Sequence, residues 1–178
     1  MLYCLIGKTC SGKDTALKQL IKLGYDSITK YTTRPIRENE IDGVDYNFIT
    51  DKEYLTCPID FVVQRLYNTW FYGVDPKDLN SELDQFIIID PSGYRELKET
   101  FGDHHVTGLY LDVPQEVRLL RGLNRKDNVE ELFRRLQADE KDFEGFEKEV
   151  DHVIQSLEKK EALDKILLVL GGTRIANA

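Results

Sequence analysis

The sequence predicts an α/β fold, a parallel sheet flanked by helices with one inserted, turn-rich segment, and three observations carry that prediction. Leu2-Tyr3-Cys4-Leu5-Ile6 is a short apolar run closed by Gly7, the pattern of a strand buried on both faces. A glycine-containing loop follows, and Ala16, Leu17, Leu20 and Ile21 then recur at helical spacing up to Gly24, which is placed to end the helix. Two more apolar runs, at residues 86–89 and 106–113, each precede a stretch of helical composition. Buried strands alternating with helices imply parallel strands covered on both sides.

The remaining elements follow in chain order. Thr50-Asp51-Lys52-Glu53 is a capping box and predicts a short helix. Residues 61–67 and 70–74 read as strands, and Trp70 as a packing residue. Residues 86–90 form a strand that Pro91-Ser92-Gly93 ends, with a helix over 94–101. After the strand at 106–113, Pro114 stands at a helix start. Residues 128–148 read as one helix with Leu132, Phe133 and Leu136 on one face, 150–154 as a last strand and 158–170 as a closing helix. Residues 31–74 are richer in turns and short strands, so they form a subdomain inserted into a core of 1–30 and 75–178. No repeat or linker divides the chain, which is read as one domain.

Composition narrows the function. The 178 residues carry 24 Lys+Arg against 32 Asp+Glu, a formal charge of −8, which argues against binding nucleic acid or anionic membrane by bulk charge. The apolar runs at 86–89 and 166–170 are too short to span a bilayer, and the N-terminus lacks the basic region of a signal peptide. Cys4, Cys10 and Cys57 are odd in number and lack metal-ligand spacing, which suits a reducing, cytoplasmic setting. His104 and His105 have no acid or cysteine at ligand spacing and are read as structural.

Gly7-Lys8-Thr9-Cys10-Ser11-Gly12-Lys13 has the G-x-x-x-x-G-K spacing of a phosphate-binding loop. Its glycines let backbone N–H groups turn inward on phosphate oxygens, the following helix adds its positive end, and Lys13 reaches the terminal phosphates. The residue after the lysine, usually a Ser or Thr on Mg2+, is Asp14, with Thr15 next. Asp14 reads equally as an oxygen ligand for Mg2+ and as a first-turn acid suited to the helix dipole. Further along, Arg34 and Arg37 offer forked donors matched to a phosphate, and Tyr46 a hydroxyl, a set that taken alone reads equally as a solvated charged loop.

Residues 32–48 contain T-T-R-x-x-R-x-x-E-x-x-G-x-x-Y-x-F without a gap, and with the loop and Phe71-Tyr72-Gly73 they resemble the guanylate kinase family over most of the chain. The resemblance implies a P-loop nucleoside monophosphate kinase fold with an acceptor-binding subdomain and a lid at about 121–135. It also implies phosphoryl transfer from ATP with Mg2+ to a nucleoside monophosphate, GMP or dGMP by family. By the same resemblance Gly7 through Thr15 bind ATP, and Arg34, Arg37 and Tyr46 hold the acceptor phosphate. Tyr72 and Asp90 line the acceptor site, and Glu40 braces the arginines. The lid arginines Arg121, Arg125 and Arg135 join Lys13 in catalysis. Partners would be small nucleotides, with no nucleic acid or membrane, and the chain would act as a monomer or homodimer.

The match departs from the family where guanine is read. The family has a Ser at the position of Lys30, a Glu at that of Val63, with Gln64 beside it as a substitute reader, and a Ser at that of Val74. Alternatives are a kinase of this fold with another acceptor, such as another nucleoside monophosphate or ribose 1,5-bisphosphate, and a non-catalytic interaction module of the same fold.

Overall fold

A computed structural model describes residues 1–176 except 39, 57, 58 and 68, and the backbone alone for 172–176. Cys57 therefore lies outside the described residues. The strands are β1 (Leu2–Ile6), β2 (Asp26–Ser27), β3 (Tyr31–Thr32), β4 (Asn47–Phe48), β5 (Val63–Tyr67), β6 (Trp70–Val74), β7 (Gln85–Ile88), β8 (Val106–Asp112) and β9 (His152–Gln155). The helices are α1 (Lys13–Lys22), α2 (Asp51–Thr56), α3 (Pro91–Phe101), α4 (Gln115–Asn124), α5 (Val129–Asp142) and α6 (Lys159–Ala176).

The main sheet has the order β2-β7-β1-β8-β9 with every pairing parallel. All five residues of β1, its central strand, are buried. Strand alternation sends Leu2, Cys4 and Ile6 to one face, against Tyr94, Leu97 and Phe146, and Tyr3 and Leu5 to the other, against Leu20, Ile166 and Leu170. Both faces are thus covered by helices, as the unbroken apolar run requires.

The inserted segment folds into its own four-stranded sheet, β4-β3-β6-β5. In the ladder β5 and β6 run antiparallel, with Val63 opposite Val74, Arg65 opposite Tyr72 and Tyr67 opposite Trp70. The capping box before α2 is formed in both directions, Glu53 N–H donating to Thr50 Oγ1 at 3.1 Å and Thr50 N–H to Glu53 Oε2 at 2.7 Å.

Two expectations are corrected. Pro91-Ser92-Gly93 does not separate a strand from a helix but makes the first turn of α3: Asp90 caps it by accepting from Gly93 N–H at 2.7 Å, and proline suits that position because it lacks the N–H that would be left over. The helix read over 128–148 stops at Asp142, and Gly145, at φ +73°, turns the chain into a short 3-10 turn at Phe146–Lys148. A left-handed residue cannot propagate an α-helix, and glycine takes that conformation without steric cost. The two-residue strands β2, β3 and β4 went unseen because two residues carry no periodicity.

Candidate active site

Residues 7–12 link the C-terminal end of β1 to α1, at the edge of the parallel sheet where the chain leaves in both directions and ligands commonly bind. Gly12 closes the loop at φ +106°. Lys13 folds back over the loop and donates to the carbonyls of Gly7 and Lys8 at 2.5 and 3.1 Å. Burial pushes its ammonium below the ordinary lysine range, with Asp14 and Asp139 opposing.

A buried arginine holds this loop against the helices. Arg118, only 1% exposed, donates from Nε to Val113 O at 3.0 Å and from Nη1 to Thr9 O at 3.4 Å and Asp139 Oδ2 at 3.3 Å. Asp139 also accepts from Thr9 N–H at 2.7 Å, and burial raises its carboxyl against these partners. Two expected lid arginines are spent on the loop itself. Arg121 donates to Ser11 O at 2.9 Å and Leu157 O at 2.8 Å. Arg125 binds Cys10 Sγ at 3.1 Å and Asp127.

Facing the loop, the inserted segment supplies a compact basic cluster. Arg34, 5% exposed, is gripped by both oxygens of Glu40 at 2.8 and 2.9 Å, and its guanidinium stacks over the rings of Tyr46 and Phe48. Glu40 also accepts from Arg37 N–H at 2.9 Å, so it braces both arginines, as the sequence suggested. Arg37 keeps an exposed guanidinium. Lys30 joins the cluster: its Nζ lies 5.5 Å from the Tyr46 ring centre, and no ion pair holds it among the described residues.

One cleft of about 660 Å3 joins the two halves, within the range of small-molecule sites. It brings together Gly7, Thr9 and Lys13 of the loop, Tyr46, Tyr72 and Lys30 of the inserted segment, Asp90 at the end of β7, and Arg135 of α5. Arg135 is oriented by Glu131, which accepts from its Nε at 2.7 Å. Gln64, named from sequence as acceptor-binding, turns to another surface. Val63 and Arg65 line the cleft from β5, whereas Gln64 between them accepts from Tyr54 O–H at 3.0 Å. Arg34 stands behind Tyr46, and Thr15 lines a shallow hollow behind the loop with Ser11 and Arg121. Asp14 is exposed in the first turn of α1. Lys30 had no assigned role in the sequence, although it stands where the family has a Ser and close in the chain to the two arginines; nothing in the spacing marks Arg65.

A parallel sheet carrying a phosphate-loop geometry at its strand ends, and facing an inserted basic sheet across one cleft, defines the nucleoside monophosphate kinase class. The particular family follows from comparison with known proteins. The sequence profile of the family described as guanylate kinase matches residues 1–170, and the chain belongs to that family. A guanylate kinase of Wolinella succinogenes is 30% identical over 185 residues, covering 94% of this chain and 81% of that protein. One from Helicobacter hepaticus is 33% identical over 145 residues, 74% of this chain and 71% of its own. The crystal structure of guanylate kinase from Anaplasma phagocytophilum superposes with a TM-score of 0.76 at 22% identity, covering 97% of this chain and 85% of that one, and shares the fold.

Proposed function

We infer that the chain transfers the terminal phosphoryl group of ATP to a nucleoside monophosphate, GMP or dGMP, giving ADP and a nucleoside diphosphate. The observation that carries this reading is the cleft lined from one side by the loop with Lys13 and from the other by Tyr46 and Lys30. Two phosphates bound on those walls face one another, the arrangement direct in-line transfer needs.

Catalysis here is positioning plus cation placement. Loop N–H groups and the α1 N-terminus take the donor phosphates, and Lys13 exchanges two carbonyls for phosphate oxygens. Tyr46, Lys30 and the exposed Arg37 take the acceptor phosphate, while Arg34 backs Tyr46. Arg135 faces the transferred group, Arg121 and Arg125 fix the loop's shape, and residues 121–135 act as a lid over the subdomain at 31–74. Among the described residues no three His, Cys, Asp or Glu converge as a metal cage, which suits Mg2+ arriving on the ATP phosphates and needing one or two protein oxygens. Asp14, exposed in the first turn of α1 next to Lys13, is the carboxylate that would hold it, and Thr15 lines the hollow behind the loop. The metal, when bound, neutralises charge on the donor phosphates. Within the described residues no helix is long and apolar enough to cross a membrane; a cytoplasmic monomer or homodimer working on free nucleotides accords with this reading.

The test is ADP formation from ATP–Mg2+ against GMP, dGMP, AMP, CMP, UMP, dTMP and ribose 1,5-bisphosphate. Turnover with GMP or dGMP above the others is expected. Silence across the panel, with no ATP bound, would overturn the kinase reading.

A further inference from the structure

Beyond the phosphate-holding groups the cleft is walled by β5, β6 and the start of α3. Val63 and Val74, 4% and 1% exposed and paired across the ladder, make this wall apolar. Arg65, two residues along β5 and opposite Tyr72, is the cation of its strand side, while Arg95 of α3, also on the cleft, is held by both oxygens of Glu149 at 2.7 and 2.9 Å. Arg65 Nη1 is occupied, donating to Gln64 O at 2.7 Å and pairing with Glu96 at 2.7 Å. The other edge of the guanidinium is not. Nη2 is buried without a hydrogen-bond partner among the described residues, and Nε stands 3.8 Å from Asp90 Oδ1, beyond hydrogen-bond reach.

Nε–H and Nη2–H form two parallel donors, the fork that meets a pair of adjacent acceptors. A buried donor left unmade is unfavourable, so a ligand that supplies an acceptor is favoured there. Asp90, the acid of this wall, is engaged by Gly93 N–H, and its charge faces Arg65.

We propose that Arg65 reads the base of the acceptor nucleotide by donating to O6 and N7 of a 6-oxopurine. This deepens the reading of the cleft as a nucleoside monophosphate kinase site and rests on it. Guanine and hypoxanthine both present two acceptors on that edge, whereas adenine puts an amino donor beside N7. The valine pair offers nothing to the 2-amino group. The acceptor class is therefore 6-oxopurine nucleoside monophosphates, with GMP, dGMP and IMP used alike and AMP rejected.

The experiment compares kcat/KM for GMP, IMP and AMP, and calorimetric Kd for GMP and IMP, in the wild type, Arg65→Ala and Glu96→Gln. Expected are GMP and IMP within a few-fold of each other, and a loss of roughly 10- to 100-fold for both in Arg65→Ala. AMP and the KM for ATP should move little. Glu96→Gln breaks the ion pair while keeping the fork, and should leave the GMP-to-AMP ratio unchanged; if it reproduces the Arg65→Ala pattern, the role is structural and the proposal falls. It also falls if GMP exceeds IMP by more than 100-fold, if Arg65→Ala lowers GMP and AMP equally, or if ribose 1,5-bisphosphate outcompetes GMP, which would make the fork a phosphate site. In each of those cases the kinase reading survives; only silence with every acceptor removes it.

Discussion

The loop and the acceptor segment, to which the proposed function gives the same kind of group, a phosphate, are held in opposite ways. Around the loop the contacts span the chain: Thr9 N–H meets Asp139 across 130 residues and Arg121 meets Ser11 across 110. In the acceptor segment they stay within the segment: Arg34 reaches Glu40 across six residues, Arg37 N–H reaches Glu40 across three, and Phe71 N–H reaches Thr33 across 38. The loop is shaped by the assembled fold, whereas the acceptor segment largely shapes itself. Damage to the braces of the loop should therefore reach the whole molecule, and damage to the acceptor segment should stay in its own substrate's kinetics.

The largest expected effect tests the loop's chemistry apart from its scaffold. Lys13→Ala should lower kcat by roughly 10^3-fold with an unchanged circular dichroism spectrum, because its bonds end on loop carbonyls; near-normal turnover by a well-folded variant would break the mechanism. Removing the long-range brace should show as stability. Arg118→Leu leaves Asp139 without its cation, and breaking a buried pair costs about 3–5 kcal/mol, read as a fall in the denaturant midpoint. A loss under about 1 kcal/mol would mean the loop does not depend on distant contacts.

On the acceptor side the effect should be confined. Lys30→Ser should raise the KM for the monophosphate roughly 10-fold, the scale of one charge-assisted hydrogen bond, and leave the KM for ATP and the melting temperature alone. An equal rise in both KM values would put Lys30 on the donor side. The smallest effect belongs to α5, where hydrogen bonds from Arg134, then Arg135, hold the Glu131 carboxyl down at about 2. Since the folded state depresses this acid, its contribution is complete above its ordinary value near 4.5 and is lost as pH falls from there through 2. Glu131→Gln should cost under about 1 kcal/mol at neutral pH, the pair being largely exposed. The difference in melting temperature from wild type should close across that window.

Legibility followed the same division. The T-T-R-x-x-R-x-x-E segment could be read as a unit, Glu40 as a brace included, because its partners are sequence neighbours. Lys13 was legible for the same reason, standing at a set distance from the glycines that make the loop. Arg121 and Arg125 were expected as lid arginines that join Lys13 in catalysis, and in the fold they hold loop carbonyls and Cys10; a helical arginine gives no sign of which distant carbonyl it will reach. Gln64 was named for its proximity to Val63 in the chain, yet adjacent strand residues point to opposite faces, and its neighbour Arg65 occupies the cleft.

The layered α/β plan, the glycine-lysine loop and the basic segment at 32–48 are written along the chain, since each depends on periodicity or on spacing within about twenty residues. Folding alone brings Arg118 and Asp139 together on the loop, Lys30 to the Tyr46 ring beside Arg34, and Arg65 to the cleft with one edge unpaired among the described residues. Those outcomes depend on which strands and helices are brought together in space, and burial, pairing and charge compensation act through distance in the fold and not along the chain.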